Sequence, residues 1–236
     1  MKPASAACSR VLAMLAALLF ALSVRSDTKA EDYQVDLALV LAIDCSFSVD
    51  ANEFRLQMEG LGRAFMEREI QEAIRKGPIG RIAITAIQWS DETNQMIIVP
   101  WTILSNPDQA EALGALLADM PRRLAEGGTS ISSALQFSAN LFAIAPSAER
   151  RVIDISSDGR NNIGPPVNAV RDRLVARGIT INALTIINEW PTLDQYFERQ
   201  VVGGQAHFVI VANDYASYAE AIYRKLLREI VGPGIS

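Results

Sequence analysis

The sequence predicts an α/β protein with a doubly wound, mostly parallel sheet, one antiparallel edge strand and helices on both faces. Three observations predict it. Beyond residue 33, short β-branched apolar runs alternate with segments of helical period, the rhythm of repeated strand–helix units. Most of the strand runs are apolar at nearly every position, as in Val35 to Ile43, which marks strands covered on both sides. One run, Gln95 to Leu104 (QMIIVPWTIL), contains Pro100 and follows its predecessor after the short Ser90–Asn94 connection. A proline cannot donate to a sheet ladder, so this run is placed at the edge, as the return strand of a hairpin.

The elements follow in order. After the first strand, Asp50 is positioned to cap a helix, with Glu53 closing a capping box. Phe54, Met58, Leu61, Phe65 and Ile70 recur at helical spacing in that helix. Gly77-Pro78 and Gly80 break it, and Arg81 to Trp89 (RIAITAIQW) reads as the second strand. The edge strand comes third. Asn106-Pro107 opens a second helix, with Ala110, Leu113, Leu116 and Leu117 as its apolar face, ending near Met120-Pro121. The loop Glu126 to Ser130 leads into a third helix through Leu135 and Leu141. Arg151 to Ser156 is a strand ended by Asp158-Gly159, and a helix after Pro165-Pro166 runs to Gly178. Ile179 to Ile187 is the next strand, Leu193 to Val202 a short helix, Ala206 to Val211 the last strand and Tyr215 to Ile230 the closing helix.

Length and composition bound the function. The 236 residues, 50% hydrophobic and 21% charged, suffice for one core, expected over residues 33–231. Ahead of it, Lys2 and Arg10 precede the apolar run Val11 to Leu22, and no acid occurs before Asp27. That is the layout of a secretory signal peptide spanning residues 1–23, with cleavage as late as residue 30, and the run is too short to span a membrane. The expected location is therefore exported, periplasmic or secreted. Removing residues 1–23 leaves 20 basic against 27 acidic residues, a net −7. No basic cluster remains, which argues against a nucleic-acid partner. Cys45 is then the only thiol, so no intrachain disulfide is expected, and its side chain is expected to point into the core.

The motif that carries chemistry is Asp44-Cys45-Ser46-Phe47-Ser48, at the end of the first strand. A carboxylate and two hydroxyls stand on alternate residues, and alternate side chains of extended backbone point the same way. Three hard oxygens in that arrangement suit a small cation of the Mg²⁺ type. In open α/β sheets ligands bind beyond the carboxyl ends of the strands, at a switch point. Asp158 lies at another such strand end, and Thr129 sits in a glycine-hinged loop that reaches the same edge.

With these residues in view, the chain resembles a von Willebrand factor type A domain, a Rossmann-like fold, over roughly Tyr33 to Val231. More narrowly, it is similar to a bacterial group of exported, stand-alone domains of this type. The family's metal-ion-dependent adhesion site has three parts, and each has a match: D-x-S-x-S at Asp44, Ser46 and Ser48, the threonine loop at Thr129, and the late aspartate at Asp158. The resemblance implies a bound Mg²⁺, or Mn²⁺, held by these five residues with one coordination position open to an Asp or Glu of a protein partner. It thus implies an adhesion or assembly module of the cell envelope rather than an enzyme. A metal-assisted hydrolase at the same site and a purely structural metal are the alternatives.

Other residues are weighed beside the motif. Phe47 replaces a residue that is often small in the family; it is expected to pack beneath its loop, with a place on the rim as a partner contact the other reading. Asn161, Asn162 and Trp190 are further candidate partner contacts. Asp154 needs a partner if buried, such as Arg151 or Arg81. His207, the only histidine, is expected within the last strand. No P-loop, G-x-G-x-x-G, G-x-S-x-G, H-E-x-x-H or C-x-x-C motif is present.

Overall fold

The structure is a computed structural model that describes residues 34–187 and 190–232. The expected signal peptide, together with Asn188 and Glu189, lies outside the described residues. Among those described, no helix is long and apolar enough to cross a membrane.

Six strands form one sheet in the order β3-β2-β1-β4-β5-β6. They are β1 (Val35–Asp44), β2 (Ile82–Trp89), β3 (Gln95–Leu104), β4 (Ala148–Ser157), β5 (Ile179–Ile186) and β6 (Val209–Ala212). All neighbours pair parallel except β3, which runs antiparallel to β2 at the edge. The β2–β3 register shifts on either side of Ala86, and the extra residues fall on β3 around Pro100, which absorbs its missing donor in a bulge.

The helices are α1 (Ala51–Met66), α2 (Arg68–Lys76), α3 (Pro107–Ala118), α4 (Ile131–Leu141), α5 (Val167–Ala176), the single turn α6 (Leu193–Tyr196) and α7 (Tyr218–Val231). The central strand explains their placement. Every residue of β1 is buried, so both its faces need cover. Leu37, Leu39, Leu41 and Ile43 pack into one layer with α1, α2, α3 and α7; Val40 and Ala42 pack into the other with α4, α5 and α6. The chain first builds outward from β1 through β2 to β3, then returns to place β4 on the opposite side of β1. The order therefore reverses between β1 and β4, and the crevice at their carboxyl ends is the switch point.

Several expectations are corrected. The helix expected through Ile70 breaks at Glu67, whose backbone is extended, and α2 carries Ile70. Gln71 Nε2 donates to the Phe65 and Met66 carbonyls at 3.4 and 3.3 Å, meeting acceptors the break exposes. Leu116 faces solvent rather than the core. The segment expected as one helix over 193–202 is the turn α6 followed by a π-helical turn, Phe197–Val201. The last strand begins at Val209, not Ala206, because Gly204 and Ala206 take left-handed backbone in a turn. His207 is consequently exposed in that turn, its Nδ1 2.8 Å from the Gly204 carbonyl oxygen. Tyr215 precedes α7 instead of opening it. Asp154 is buried and paired, but with Lys225 Nζ at 2.5 Å rather than with an arginine.

Candidate metal centre

Asp44 is the last residue of β1 and fully buried. Its carboxylate is committed on both oxygens. Oδ1 accepts from the Ser46 backbone N–H at 2.7 Å, and Oδ2 accepts from Ser157 Oγ at 2.5 Å. The first bond turns the chain away from the strand, so Ser46 to Ser48 lie in a turn rather than on extended backbone. The two serines therefore meet by turn geometry and not by strand alternation: their Oγ atoms lie 3.3 Å apart, in hydrogen-bond contact. Ser48 Oγ donates to Asp158 Oδ1 at 2.6 Å, and Tyr215 OH donates to Asp158 Oδ2 at 3.0 Å.

Thr129 reaches the same place. A Cβ added at Gly159 would sit 3.4 Å from Thr129 Oγ1 and 3.9 Å from Ser48 Oγ, so both hydroxyls lie close to this glycine. Three loops are stapled to hold this arrangement. Phe47 N–H donates to the Gly127 carbonyl at 2.9 Å, Thr129 N–H to Asn162 Oδ1 at 2.9 Å, and Asn162 N–H to the Thr129 carbonyl at 3.0 Å. Asn161 is likewise spent on the loops: its Oδ1 accepts from Ser132 N–H at 3.1 Å and its Nδ2 donates to the Ile163 carbonyl at 2.9 Å. From below, Arg122 Nη2 donates to the Val49 carbonyl at 2.5 Å, while its guanidinium lies over the Phe54 ring.

Part of the centre opens onto a cleft of about 790 Å³ lined by Ser48, Thr129 and Gly159 together with Phe47, Arg160 and Trp190, while Asp44, Ser46 and Asp158 are buried. Phe47 is 75% exposed, so it does not pack beneath its loop; anchoring its N–H on Gly127 turns the ring outward. Trp190 is 45% exposed, and the Arg160 guanidinium lies 5.1 Å above its ring. Cys45 is buried, as expected, and burial pushes its thiol up to about 12.

The electrostatics fit a cation. Burial and then the negative charge of Asp158 push Asp44 up to about 7, despite the hydrogen bonds from Ser157 and Ser46. Two acids thus share a site that disfavours the ionisation of one of them, and a divalent ion reverses that penalty. Among the described residues no three acidic, histidine or cysteine side chains gather into a cage. The remaining donors are the hydroxyls of Ser46, Ser48 and Thr129, hard oxygens that suit Mg²⁺ better than a soft metal. Sequence reasoning missed Ser157, Tyr215 and Arg122. Ser157 was legible as the residue before Asp158, but Arg122 and Tyr215 arrive from distant loops with no local signal.

Residues 34–234 match the model of a family described as "Protein of unknown function (DUF1194)". No curated protein sequence matches the chain. Among solved structures, proximal thread matrix protein 1 from the mussel byssus matches with a TM-score of 0.61 at 16% identity, over 82% of this chain and 48% of that one. Another structure of the mussel protein is described with a zinc-occupied MIDAS motif, the metal-ion-dependent adhesion site (TM-score 0.57, 16% identity, 82% and 48% coverage). A von Willebrand factor type A protein from Catenulispora acidiphila matches at 0.60 and 16%, over 83% and 43%. The pilus adhesin SpaC from Lactobacillus rhamnosus GG matches at 0.57 and 14%, over 84% and 31%. The chain spans less than half the length of each of these, and at such identities the matches establish a shared fold, that of the von Willebrand factor type A domain.

Proposed function

The chain belongs to the DUF1194 family, and on that footing we propose that it is a Mg²⁺-dependent protein-binding module of the adhesion or assembly type, exported to the bacterial cell envelope. Asp44, Ser46, Ser48, Thr129 and Asp158 would hold the ion, with Mn²⁺ as the other metal the donor set admits. Bound there, the metal supplies a positive centre with a position open to an Asp or Glu of a partner.

The observation that carries this reading is the convergence of two acids and three hydroxyls at one end of the sheet, with Asp44, Ser46 and Asp158 buried, Ser48 and Thr129 opening onto a cleft, and Ser48 Oγ 2.6 Å from Asp158 Oδ1. What the chain's own residues do is hold and present. Ser157 and the Ser46 amide fix the Asp44 carboxylate, Tyr215 fixes that of Asp158, and the Gly127–Phe47 and Thr129–Asn162 bonds keep the three loops in register. Nothing in the set transfers a proton. Among the described residues the side chains lining the cleft include no histidine, cysteine, lysine or acid, the two acids of the site being buried. The zinc-occupied motif of the mussel protein and the adhesin role in the name SpaC support the reading by analogy of fold. The expected signal peptide supports export.

Calorimetric titration of the purified chain with Mg²⁺ at pH 8 tests the proposal. A single site is expected, and saturation raises Tm by mass action on the folded state, about 2.7 kcal/mol at one hundred times Kd. Asp44→Ala should abolish both effects. A wild-type chain that binds neither Mg²⁺ nor Mn²⁺ would end the metal reading. Stabilisation by Mg²⁺ without any Mg²⁺-dependent capture of an envelope protein would reduce the ion to a structural one.

A further inference from the structure

Among the described residues Arg160 is the one ionisable side chain lining the cleft. Its guanidinium lies over two rings, 5.1 Å from the centre of Trp190 and 5.5 Å from that of Tyr196, and its Nη2 donates to Thr192 Oγ1 at 2.8 Å. Its Nε is buried and has no hydrogen-bond partner among the described residues. Among the described residues Arg160 forms no ion pair. The same side chain also walls a second hollow of about 270 Å³, which it shares with Tyr196 and Arg199. Arg199 is exposed and likewise has no ion pair among the described residues. One guanidinium, set against two aromatic rings, therefore lines both the cleft beside the metal centre and a hollow edged by a second guanidinium.

A guanidinium already held by two rings and a threonine hydroxyl loses little further freedom on binding and keeps N–H donors for a planar anion. Among the described residues those donors meet no acid, in a chain whose net charge is −5. A local basic pair on an acidic surface selects for acidic ligands at that spot. Phe47 lines the same cleft and exposes apolar surface, which suits a peptide better than a sugar acid or a polyphosphate.

We propose that the partner presents an acidic peptide segment read at two points: one carboxylate at the metal centre, and a second, a few residues along, laid on Arg160 and reached by Arg199. This rests on the metal-site reading above and names the partner class for it.

Fluorescence polarisation with labelled peptides tests the inference. One peptide carries a single Asp in a Gly/Ser background; the others add a Glu two, three or four residues after it. With saturating Mg²⁺, at least one two-acid spacing is expected to bind about tenfold tighter than the single-acid peptide. In Arg160→Gln and in Arg199→Gln that ratio should shrink to about twofold or less, while calorimetric Mg²⁺ affinity stays at the wild-type value. Arg199 is a surface residue, so its variant guards against a folding effect at Arg160. Equal binding of single- and two-acid peptides at every spacing overturns the inference. So does the absence of peptide binding with Mg²⁺ bound, or a ratio that persists in both variants. Loss of Mg²⁺ binding by the wild type is a different result: it removes the metal reading and this inference with it.

Discussion

Asp44 shows how one buried residue couples the site to stability. Its carboxyl is raised from the ordinary 3.8 to about 7, by burial first and by Asp158 second. In the folded metal-free chain it therefore holds its proton to higher pH than in the unfolded chain. Between about pH 4 and 7 the unfolded state binds fewer protons, so stability from this group is full below about 4 and is lost as pH rises to about 7. Asp44→Asn removes the charge and keeps the shape. Its Oδ1 retains the Ser46 amide bond, and its Nδ2 can donate to Ser157 Oγ, which also lies 3.3 Å from the Gly159 carbonyl oxygen as a potential donor to it. The variant is expected to melt a few degrees above wild type in EDTA at pH 8, since about 1 kcal/mol moves Tm by roughly 2–4 °C in a domain of this size. It should melt near wild type at pH 5 and give no response to Mg²⁺. Scanning calorimetry at the two pH values decides it; an Asn variant less stable than wild type at pH 8 would show that the buried charge is compensated by contacts the amide cannot make.

Elements differ in how far the sequence exposes them, and the difference is physical. β1, β2 and the hairpin to β3 were legible because apolar runs and Pro100 report burial and edge position directly. The Asp50–Glu53 capping box was legible because it is local, and both its bonds are present. The break at Glu67, the π-helical turn at Phe197–Val201 and the late start of β6 were not, because each turns on backbone conformation, such as the left-handed Ala206, that the residue pattern does not announce. The same division runs through the site. Asp44, Ser46, Ser48, Thr129 and Asp158 carry a pattern, whereas the outward turn of Phe47 depends on the Gly127 carbonyl, eighty residues away in sequence. Close helix contacts were equally hidden. α1 crosses α3 where a Cβ on Gly62 would fall 2.5 Å from the Gly114 carbonyl oxygen and 2.8 Å from the Ala118 amide nitrogen, backbone atoms that cannot yield cheaply. Gly62→Ala is a favourable change in helix propensity by about 1 kcal/mol, yet overpacking of roughly 1–3 kcal/mol opposes it. The expected outcome is a net loss of stability in urea denaturation, with the Mg²⁺ affinity of the residual folded protein unchanged. A more stable variant would mean that the two helices separate freely.

At the scale of the whole molecule, two buried acids at different places bias the fold in the same direction. Glu229, on the last turn of α7, accepts from Lys225 Nζ at 2.7 Å and from Asn182 Nδ2 at 3.1 Å, while Lys225 also pairs with Asp154 on β4. One buried lysine between two carboxyls leaves an excess of acid. Burial first, and Asp154 second, raise Glu229 from 4.5 to about 8 despite the lysine. Its sign is that of Asp44: the folded state keeps a proton that the unfolded state gives up, so stability from Glu229 is full below about 4.5 and is lost as pH climbs to about 8. Ordinary carboxylates are already ionised above pH 5, so the window from 5 to 8 isolates the raised pair. In EDTA the wild-type Tm is therefore expected to fall across that window. Saturating Mg²⁺ should cancel only the Asp44 share, because an ion held by the proposed site would favour ionised Asp44, whereas Glu229 is bonded to Lys225 and Asn182. Glu229→Gln keeps an Oε1 acceptor for Lys225 and removes the titration, so with Mg²⁺ present its profile should be nearly flat from pH 5 to 8. Differential scanning calorimetry of the two chains with and without Mg²⁺ separates the shares. A Mg²⁺-loaded wild type that declines as steeply as the metal-free chain would detach Asp44 from the metal, and a Glu229→Gln profile as steep as wild type would place the proton elsewhere than on Glu229.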